Sequence, residues 1–298
     1  MIPRRTVNGV LLLDKPPGIT SHGAVQVVRR LLNAAKAGHT GTLDPLATGL
    51  LPVCLGEATK FSHTLLAADK AYTATIRLGM TTNTGDLEGQ VTARSEVRVT
   101  QQEIAPALQK FMGDILQIPP MYSAIKHEGQ PLYKLARAGK ELARAPRKIV
   151  ISRLVLVGFA GDELTVSVSC SKGTYVRVLA EDLGRELGCG ACLSALRRDA
   201  VGGFSLASGA VTLERLESLT LAERDALLLP ADALVASLPR FDLDAAETRR
   251  MNQGQPVERA ETGAEGLARI YGPDREFLGL VEVTGPGRIV PKRLTARG

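Results

Sequence analysis

Apolar residues run unbroken from Val10 to Leu13, and the chain then turns on Lys15, Pro16, Pro17 and Gly18, an order that predicts a short buried strand closed by a turn. A helix is predicted next, capped by Thr20 or Ser21, with Val25, Val27, Val28, Leu31 and Leu32 giving a mostly apolar face interrupted by Arg29 and Arg30. Between Gly38 and Pro52 three glycines and two prolines interrupt any regular period, so an ordered loop is expected there. Lys70 to Leu78 alternates, with Tyr72, Ala74, Ile76 and Leu78 set against Thr73, Thr75 and Arg77, which is strand periodicity. Ile104 to Phe111 reads as a helix. Ile149 to Phe159 and Leu164 to Cys170 read as two strands of a hairpin that turns at Gly161 and Asp162. Helical spacing returns from Tyr175 to Leu187 through Val178, Leu179 and Leu183, and Gly188 stops it. A last helical stretch, Leu221 to Ala236, precedes short apolar segments punctuated by Gly254, Gly263, Gly266, Gly272, Gly279, Gly285 and Gly287, the spacing of a small all-β unit with tight turns. The boundary is expected near residue 237. The pattern alone therefore gives an α+β body with a β tail.

Composition adds limits more than identity. A chain of 298 residues suits one large and one small domain. With 44% hydrophobic and 23% charged residues, the balance is that of a globular protein and not of a disordered one. The net charge of +6 permits a nucleic-acid partner without requiring one. Four scattered cysteines do not make a disulfide framework, and the pair Cys189 and Cys192 has no second pair or nearby His to complete a zinc site, so neither metal nor cofactor is expected. The apolar run after the basic N-terminus is too short for a signal peptide, and no stretch approaches the roughly 20 apolar residues that cross a bilayer. A cytoplasmic protein with no membrane partner is expected.

Three places carry candidate chemistry. Asp44 lies between Leu43 and Pro45, three residues after Gly41, and a short carboxylate in an apolar, glycine-bent loop is a candidate catalytic group. An Asx-type turn that satisfies backbone donors accounts for it equally well. Lys172 to Arg177, the sequence KGTYVR, sets an aromatic ring and a guanidinium two residues apart just past a glycine turn. Tyr175 can stack on a base or pack in a core, and Arg177 can pair with a carboxylate or a phosphate. Tyr72, near the start of its strand, has the same two readings.

The stretches GVLLLDKPPGITS, GHTGTLDPLATGLLPVCLGEATKF, DKAYTATIRLG, IPPMYSAIKHEGQPLYKLAR and SKGTYVR, with the later GCGACLSALRR, resemble the TruB-type tRNA pseudouridine synthases of the stand-alone bacterial kind. They cover most of the first 200 residues in family order, and the long loop around Asp44 is the most specific of them. The segment GLARIYGPDREFLGLVEV is similar to the small RNA-binding PUA domain. The resemblance implies a pseudouridine synthase fold over 1–236, a mixed, largely antiparallel sheet flanked by helices, and a β-rich PUA-like domain over 237–298. It implies that Asp44 is the catalytic Asp, that Arg177 pairs with it, and that Tyr72 and Tyr175 flank a flipped uracil. Leu196 would line the pocket of that base, and His39 would enter the space the base leaves. His22 stands where the family pattern leads one to expect a different polar residue, and it is assigned no role. Lys15, Lys60 and Lys126, with Lys134 and Arg137, lie in the family-like segments as candidate phosphate contacts. The implied partner is the T arm of tRNA, with no obligate protein partner and a monomeric enzyme.

Isomerising uridine requires breaking the glycosidic bond, turning the uracil, joining its C5 to the sugar and removing the C5 proton. A carboxylate can begin this as a nucleophile on the sugar or as a base that takes a sugar proton, and the sequence leaves both open. Tyr72 could take the C5 proton if its phenol is deprotonated or relays the proton. A stacked base must be flipped out to be reached. Three rival readings share these residues: an RNA-binding or RNA-folding protein without turnover, a uridine-specific RNA glycosidase, and the guide-RNA-dependent branch of the same family.

Overall fold

A computed structural model of the protein describes residues 3–260, 263, 265–285 and 287–296. The unbroken apolar run forms strand β1 (Gly9–Lys15), followed by helix α1 (Ser21–Leu31), whose first turn is capped by the Thr20 hydroxyl accepting from the Gly23 N–H at 3.0 Å. Next in the chain come β2 (Thr48–Leu55), β3 (Lys70–Leu78), helix α2 (Gln101–Gln109) and β4 (Gly113–Gln117). They are followed by β5 (Arg147–Ala160), β6 (Glu163–Cys170), helix α3 (Val176–Glu186), β7 (Ala191–Val201) and the short β8 (Val211–Thr212). These strands make one mixed sheet in the order β8-β1-β2-β7-β3-β6-β5-β4, parallel at β8–β1 and β2–β7 and otherwise antiparallel along that path.

Burial explains the two kinds of strand. In β1, Leu11 and Leu13 pack into a core with Val25 and Val28 of α1, while Val10 and Leu12 pack with Phe61 and Leu65 on the other side. Both faces are covered, which is why no polar alternation shows. In β6, Leu164, Val166, Val168 and Cys170 are buried and the residues between them are not, as expected of a strand covered on one face. A second core joins β3, β5 and β6 to α2 and α3. Tyr72 of β3 and Leu196 of β7 touch both this core and the β1–α1 core, so the seam between the two lies across the middle of the sheet.

The stretch read as a loop from Gly38 to Pro52 contains most of β2, a central buried strand. Its glycine serves a close approach and not a turn: Gly49 has φ +97°, and a Cβ there would lie 2.4 Å from the Arg198 carbonyl oxygen of β7. Pro52 sits opposite Leu12 of β1, among neighbours that are fully buried. The helix expected from Ile104 begins earlier, at Gln101, because Thr100 and Glu103 form a capping box. The helical stretch expected over Leu221 to Ala236 is two pieces, an α-helix over Leu221–Ala226 and a 3₁₀ turn over Ala231–Val235, divided at Pro230.

A second, five-stranded sheet is built from β9 (Arg240–Asp242), β10 (Val257–Glu258), β11 (Gly266–Tyr271), β12 (Phe277–Thr284) and β13 (Arg288–Leu294), in the order β9-β11-β12-β13-β10. The expected all-β unit also holds a helix, α4 (Ala245–Asn252), started by an Asp244 and Glu247 capping box. This unit is fastened to the body by apolar packing. Phe277 and Leu280 of β12 join Phe61, Leu65 and Leu234 in one cluster, and the rings of Phe61 and Phe277 meet edge-on with centroids 5.1 Å apart. The Tyr271 hydroxyl donates to Asp232, and Lys60 Nζ donates to the Leu294 carbonyl at 3.1 Å.

Candidate active site

The loop between His39 and Ala47 is tied down by buried side chains from its neighbours. Ser21 clamps Leu43 from both sides: its hydroxyl accepts from the Leu43 N–H at 2.7 Å and donates to the Leu43 carbonyl at 2.9 Å. The Lys15 ammonium, with no exposed surface, donates to the carbonyls of Pro16 at 2.8 Å and Ile19 at 2.7 Å and reaches that of Pro45 at 3.4 Å. Arg198 of β7, also buried, donates from Nε to the Leu50 carbonyl at 2.7 Å and from its terminal nitrogen to the Gly41 carbonyl at 3.2 Å. The loop is thus pinned by buried side chains at Gly41, Leu43 and Pro45, on both sides of Asp44.

Asp44 turns its carboxylate toward Arg177, which projects from the first turn of α3, with Arg177 Nε 3.1 Å from Asp44 Oδ2. Both terminal nitrogens are engaged as well: one donates to the Thr84 carbonyl at 2.9 Å and the other to the Tyr122 carbonyl at 2.8 Å. A second carboxylate shares the cation, since Asp86 Oδ2 lies 3.6 Å from the same Nε. Asp86 is buried and partnered in its own right, accepting at Oδ1 from the Thr84 hydroxyl at 2.6 Å and from the Glu88 N–H at 3.1 Å. Asp44 differs from it in access. Its side chain is 41% exposed, but what it faces is the cleft and not open solvent. Enclosure by the cleft raises its pKa, Arg177 pulls it back down, and Asp86 pushes it up again. The carboxylate is therefore a stronger base than a free surface aspartate while still paired for ionisation.

The cleft has a volume of about 1070 Å³, and Asp44, Arg177, Tyr72, Tyr175, Leu196 and His39 all line it. Tyr72 and Arg198 are register partners across β3 and β7. Burial raises the Tyr72 pKa, and the Arg198 guanidinium opposes that rise. Tyr175 is the N-cap residue of α3 and its side chain makes no capping hydrogen bond; burial raises its pKa too. His39 accepts at Nδ1 from the Gly41 N–H at 3.3 Å, and burial lowers its pKa, which favours the neutral ring. The six side chains come from four separate segments of the chain and meet at the seam between the two cores.

The basic residues divide. Lys15 cannot meet a phosphate, because burial leaves its ammonium bound to three carbonyls; burial also lowers its pKa to about 8. Lys60 is taken up by Glu57 at 2.7 Å and by Leu294, at the joint with the second sheet. Lys126, Lys134 and Arg137 are exposed, and Arg137 lines the cleft. His22 also lines it. Sequence reasoning missed Asp86, Arg198 and Gln117, whose carboxamide bonds the Tyr175 backbone. None of these has a local signature, although the polar turn NTGDLEG around Asp86 was open to closer reading. Among the described residues, no three His, Cys, Asp or Glu side chains converge as a metal site, and no helix is long and apolar enough to cross a membrane.

Residues 29–176 match the TruB family pseudouridylate synthase N-terminal domain, residues 177–236 the tRNA pseudouridylate synthase B C-terminal domain, and residues 239–295 the pseudouridine synthase II TruB C-terminal family. The chain is 58% identical over 293 residues to the tRNA pseudouridine synthase B of Aromatoleum aromaticum, covering 98% of this chain and 94% of that one. It is 54% identical over 291 residues to the protein of the same name from Methylobacillus flagellatus, covering 98% and 96%. Among solved structures, the archaeal box H/ACA sRNP Nop10–Cbf5 complex contains a chain that superposes with a TM-score of 0.73 at 25% identity, covering 97% of this chain and 86% of that one. A Cbf5–Nop10–Gar1 complex gives a TM-score of 0.71 at 27% identity, with coverage of 95% and 84%.

Proposed function

The chain belongs to the TruB family of pseudouridylate synthases, and from that premise we propose that it isomerises the T-loop uridine of tRNA, uridine-55, to pseudouridine, with Asp44 as the carboxylate that opens the glycosidic bond. The observation that carries this reading is the ion pair between Asp44 and Arg177, made inside a cleft that two tyrosines also line. A base flipped from the RNA stack enters between Tyr72 and Tyr175, which recover part of the unstacking cost by stacking on its faces. Leu196 forms the apolar wall beside it. His39 moves into the place it leaves.

With the base seated, the Asp44 carboxylate acts on the sugar. Either it attacks C1′ while the N1–C1′ bond breaks, forming an Asp44–C1′ ester that breaks again when C5 bonds to C1′, or it takes a C2′ proton as that bond breaks, leaving a glycal to which the proton returns when C5 bonds to C1′. In both routes the uracil turns between the two steps and the C5 proton leaves last, to a base. Both routes need the ionised form, which Arg177 favours. Tyr72 serves as acceptor of the C5 proton as a phenolate or through a relay; burial works against the phenolate while Arg198 works for it. Release of label from C5 decides the matter: near-normal release by Tyr72→Phe removes the role.

The exposed Lys126, Lys134 and Arg137 supply phosphate contacts at the rim, and the unit from residue 237 onward adds a PUA-like RNA-binding surface to the catalytic domain of residues 1–236. The enzyme works as a monomer in the cytoplasm. The test is incubation with an unmodified tRNA transcript followed by mapping of pseudouridine. Wild type should modify one T-loop position with no change in RNA mass, and Asp44→Asn should bind the transcript and modify nothing. Folded wild-type protein that binds but yields no product would leave an RNA-binding protein without turnover, and loss of uracil mass would mean a glycosidase.

A further inference from the structure

Gln117 ends β4, the edge strand of the main sheet, yet its side chain is buried, with 3% of the residue exposed. Both ends of its carboxamide go to one residue far away in sequence. Nε2 donates to the Tyr175 carbonyl at 3.1 Å, and Oε1 accepts from the Tyr175 N–H at 2.8 Å. The Tyr175 carbonyl also accepts the first intrahelical bond of α3 from Leu179 at 3.1 Å, so both its lone pairs are used. Tyr175 is the N-cap of α3 and has no side-chain cap. An N-cap normally gains its fixed geometry from its own side chain; here a residue 58 positions away supplies it.

Packing alone does not account for this. A buried amide has to be desolvated, and a leucine or methionine of similar volume fills an apolar site without that cost. Two opposed hydrogen bonds to the N–H and the C=O of one residue hold the peptide planes on both sides of its Cα, and rotation about that Cα swings the Tyr175 ring in the cleft. Two residues further along α3 is Arg177, and the Tyr122 carbonyl that holds its guanidinium belongs to the segment leaving Gln117. One stretch, Gln117 to Tyr122, therefore grips the start of α3 at two points, one at the Tyr175 backbone and one at the cation of Asp44.

We propose that Gln117 is a positioning residue for the isomerisation, setting the angle of the Tyr175 ring against the flipped base through this two-point clamp on its backbone. The inference rests on reading Tyr175 as a base-stacking ring. A ring held about 1 Å out of place is enough to cost up to about 100-fold in rate without weakening the contacts that hold the rest of the RNA.

The test uses full-length protein and an unmodified tRNA transcript, measuring single-turnover pseudouridine formation and transcript affinity for wild type, Gln117→Met and Gln117→Glu. Gln117→Met keeps the length and loses both bonds, while Gln117→Glu keeps the shape and the acceptor and loses the donor. Both should bind the transcript within about 3-fold of wild type and react about 10 to 100-fold more slowly. The same substitutions in a Tyr175→Leu background should slow the reaction by less than about 3-fold, because the ring they position is gone. A purely structural glutamine gives a different result: the losses multiply in the double variant, or affinity falls in step with rate. Either outcome overturns the proposal, as does a Gln117→Met enzyme as fast as wild type. Wild-type turnover in the same assay reports separately on the function itself.

Discussion

Replacing Arg177 with methionine removes the cation shared by Asp44 and Asp86 while keeping the length of the side chain. At 3.1 Å the attraction between Arg177 and Asp44 is about 5 kcal/mol for an effective dielectric of about 20. The Asp44 side chain is 41% exposed, so water entering the cleft screens most of this and leaves roughly 1–3 kcal/mol. Losing it raises the Asp44 pKa further, on top of the rise that enclosure already causes. The sign follows from the chemistry: the reaction needs the ionised carboxylate, so the acid limb of the rate profile moves to higher pH. Asp86 suffers more in stability. Being buried, it is left with a charge that only the Thr84 hydroxyl and the Glu88 N–H offset, a loss of up to about 3–5 kcal/mol. Adding Asp86→Asn should recover most of that stability but not the rate. The assay is single-turnover pseudouridine formation with saturating enzyme from pH 5 to 9, beside thermal unfolding of both variants. An acid limb that stays at the wild-type pH in Arg177→Met would refute the electrostatic role of the guanidinium.

Asp44→Asn should unfold at a slightly higher temperature than wild type at pH 7. The folded pKa of Asp44 is raised, so the fold favours its neutral form, and the advantage of Asn is present above that pKa and fades as pH falls toward 4; after screening it is about 1 kcal/mol or less, or a few degrees in Tm. For RNA affinity, Lys126→Ala and Arg137→Ala should each lower the slope of log K against log salt by about 0.7–0.9, whereas Lys15→Met should leave that slope unchanged and slow the reaction by releasing the Pro45 side of the loop. A reduced slope in Lys15→Met would contradict its burial. Gly49→Ala should fail to accumulate as folded protein, since its Cβ would meet the Arg198 carbonyl at 2.4 Å on a backbone with φ +97°; soluble expression and circular dichroism report on this.

Asp44, Tyr72, Tyr175 and Arg177 were singled out by the resemblance of their segments to a known family, since each alone reads as readily as a turn or core residue, and the structure brings all four to one cleft. Asp86 was not. Its neighbours read as a polar turn, and what makes it part of the site is burial beside Leu193, with which it forms a bridge, and beside an arginine 91 residues further on. Lys15 misled in the other direction: a positive charge in a family-like segment suggests phosphate, but the three carbonyls that surround it converge only once the chain has folded. Strand β2 was hidden by Gly49 and Pro52, residues that usually end regular structure. Here the glycine answers to Arg198 on the neighbouring strand, a requirement that no window of local sequence displays.

The edge-on contact of Phe61 with Phe277, and the shared cluster around it, bears on how this protein can be cut and recombined. An appendage joined by a tether can be exchanged between enzymes as a cassette; this one cannot, because half of its seat belongs to the host. Deleting it would strip the lid from Phe61, Leu65 and Leu234 and leave a greasy scar on an otherwise intact catalyst, so a truncated enzyme would clump before it could be judged inactive. A chimaera would have to carry both faces of the joint. The span from Asp44 to the far end of the second unit is accordingly set by this joint, and an RNA that engages both must fit it.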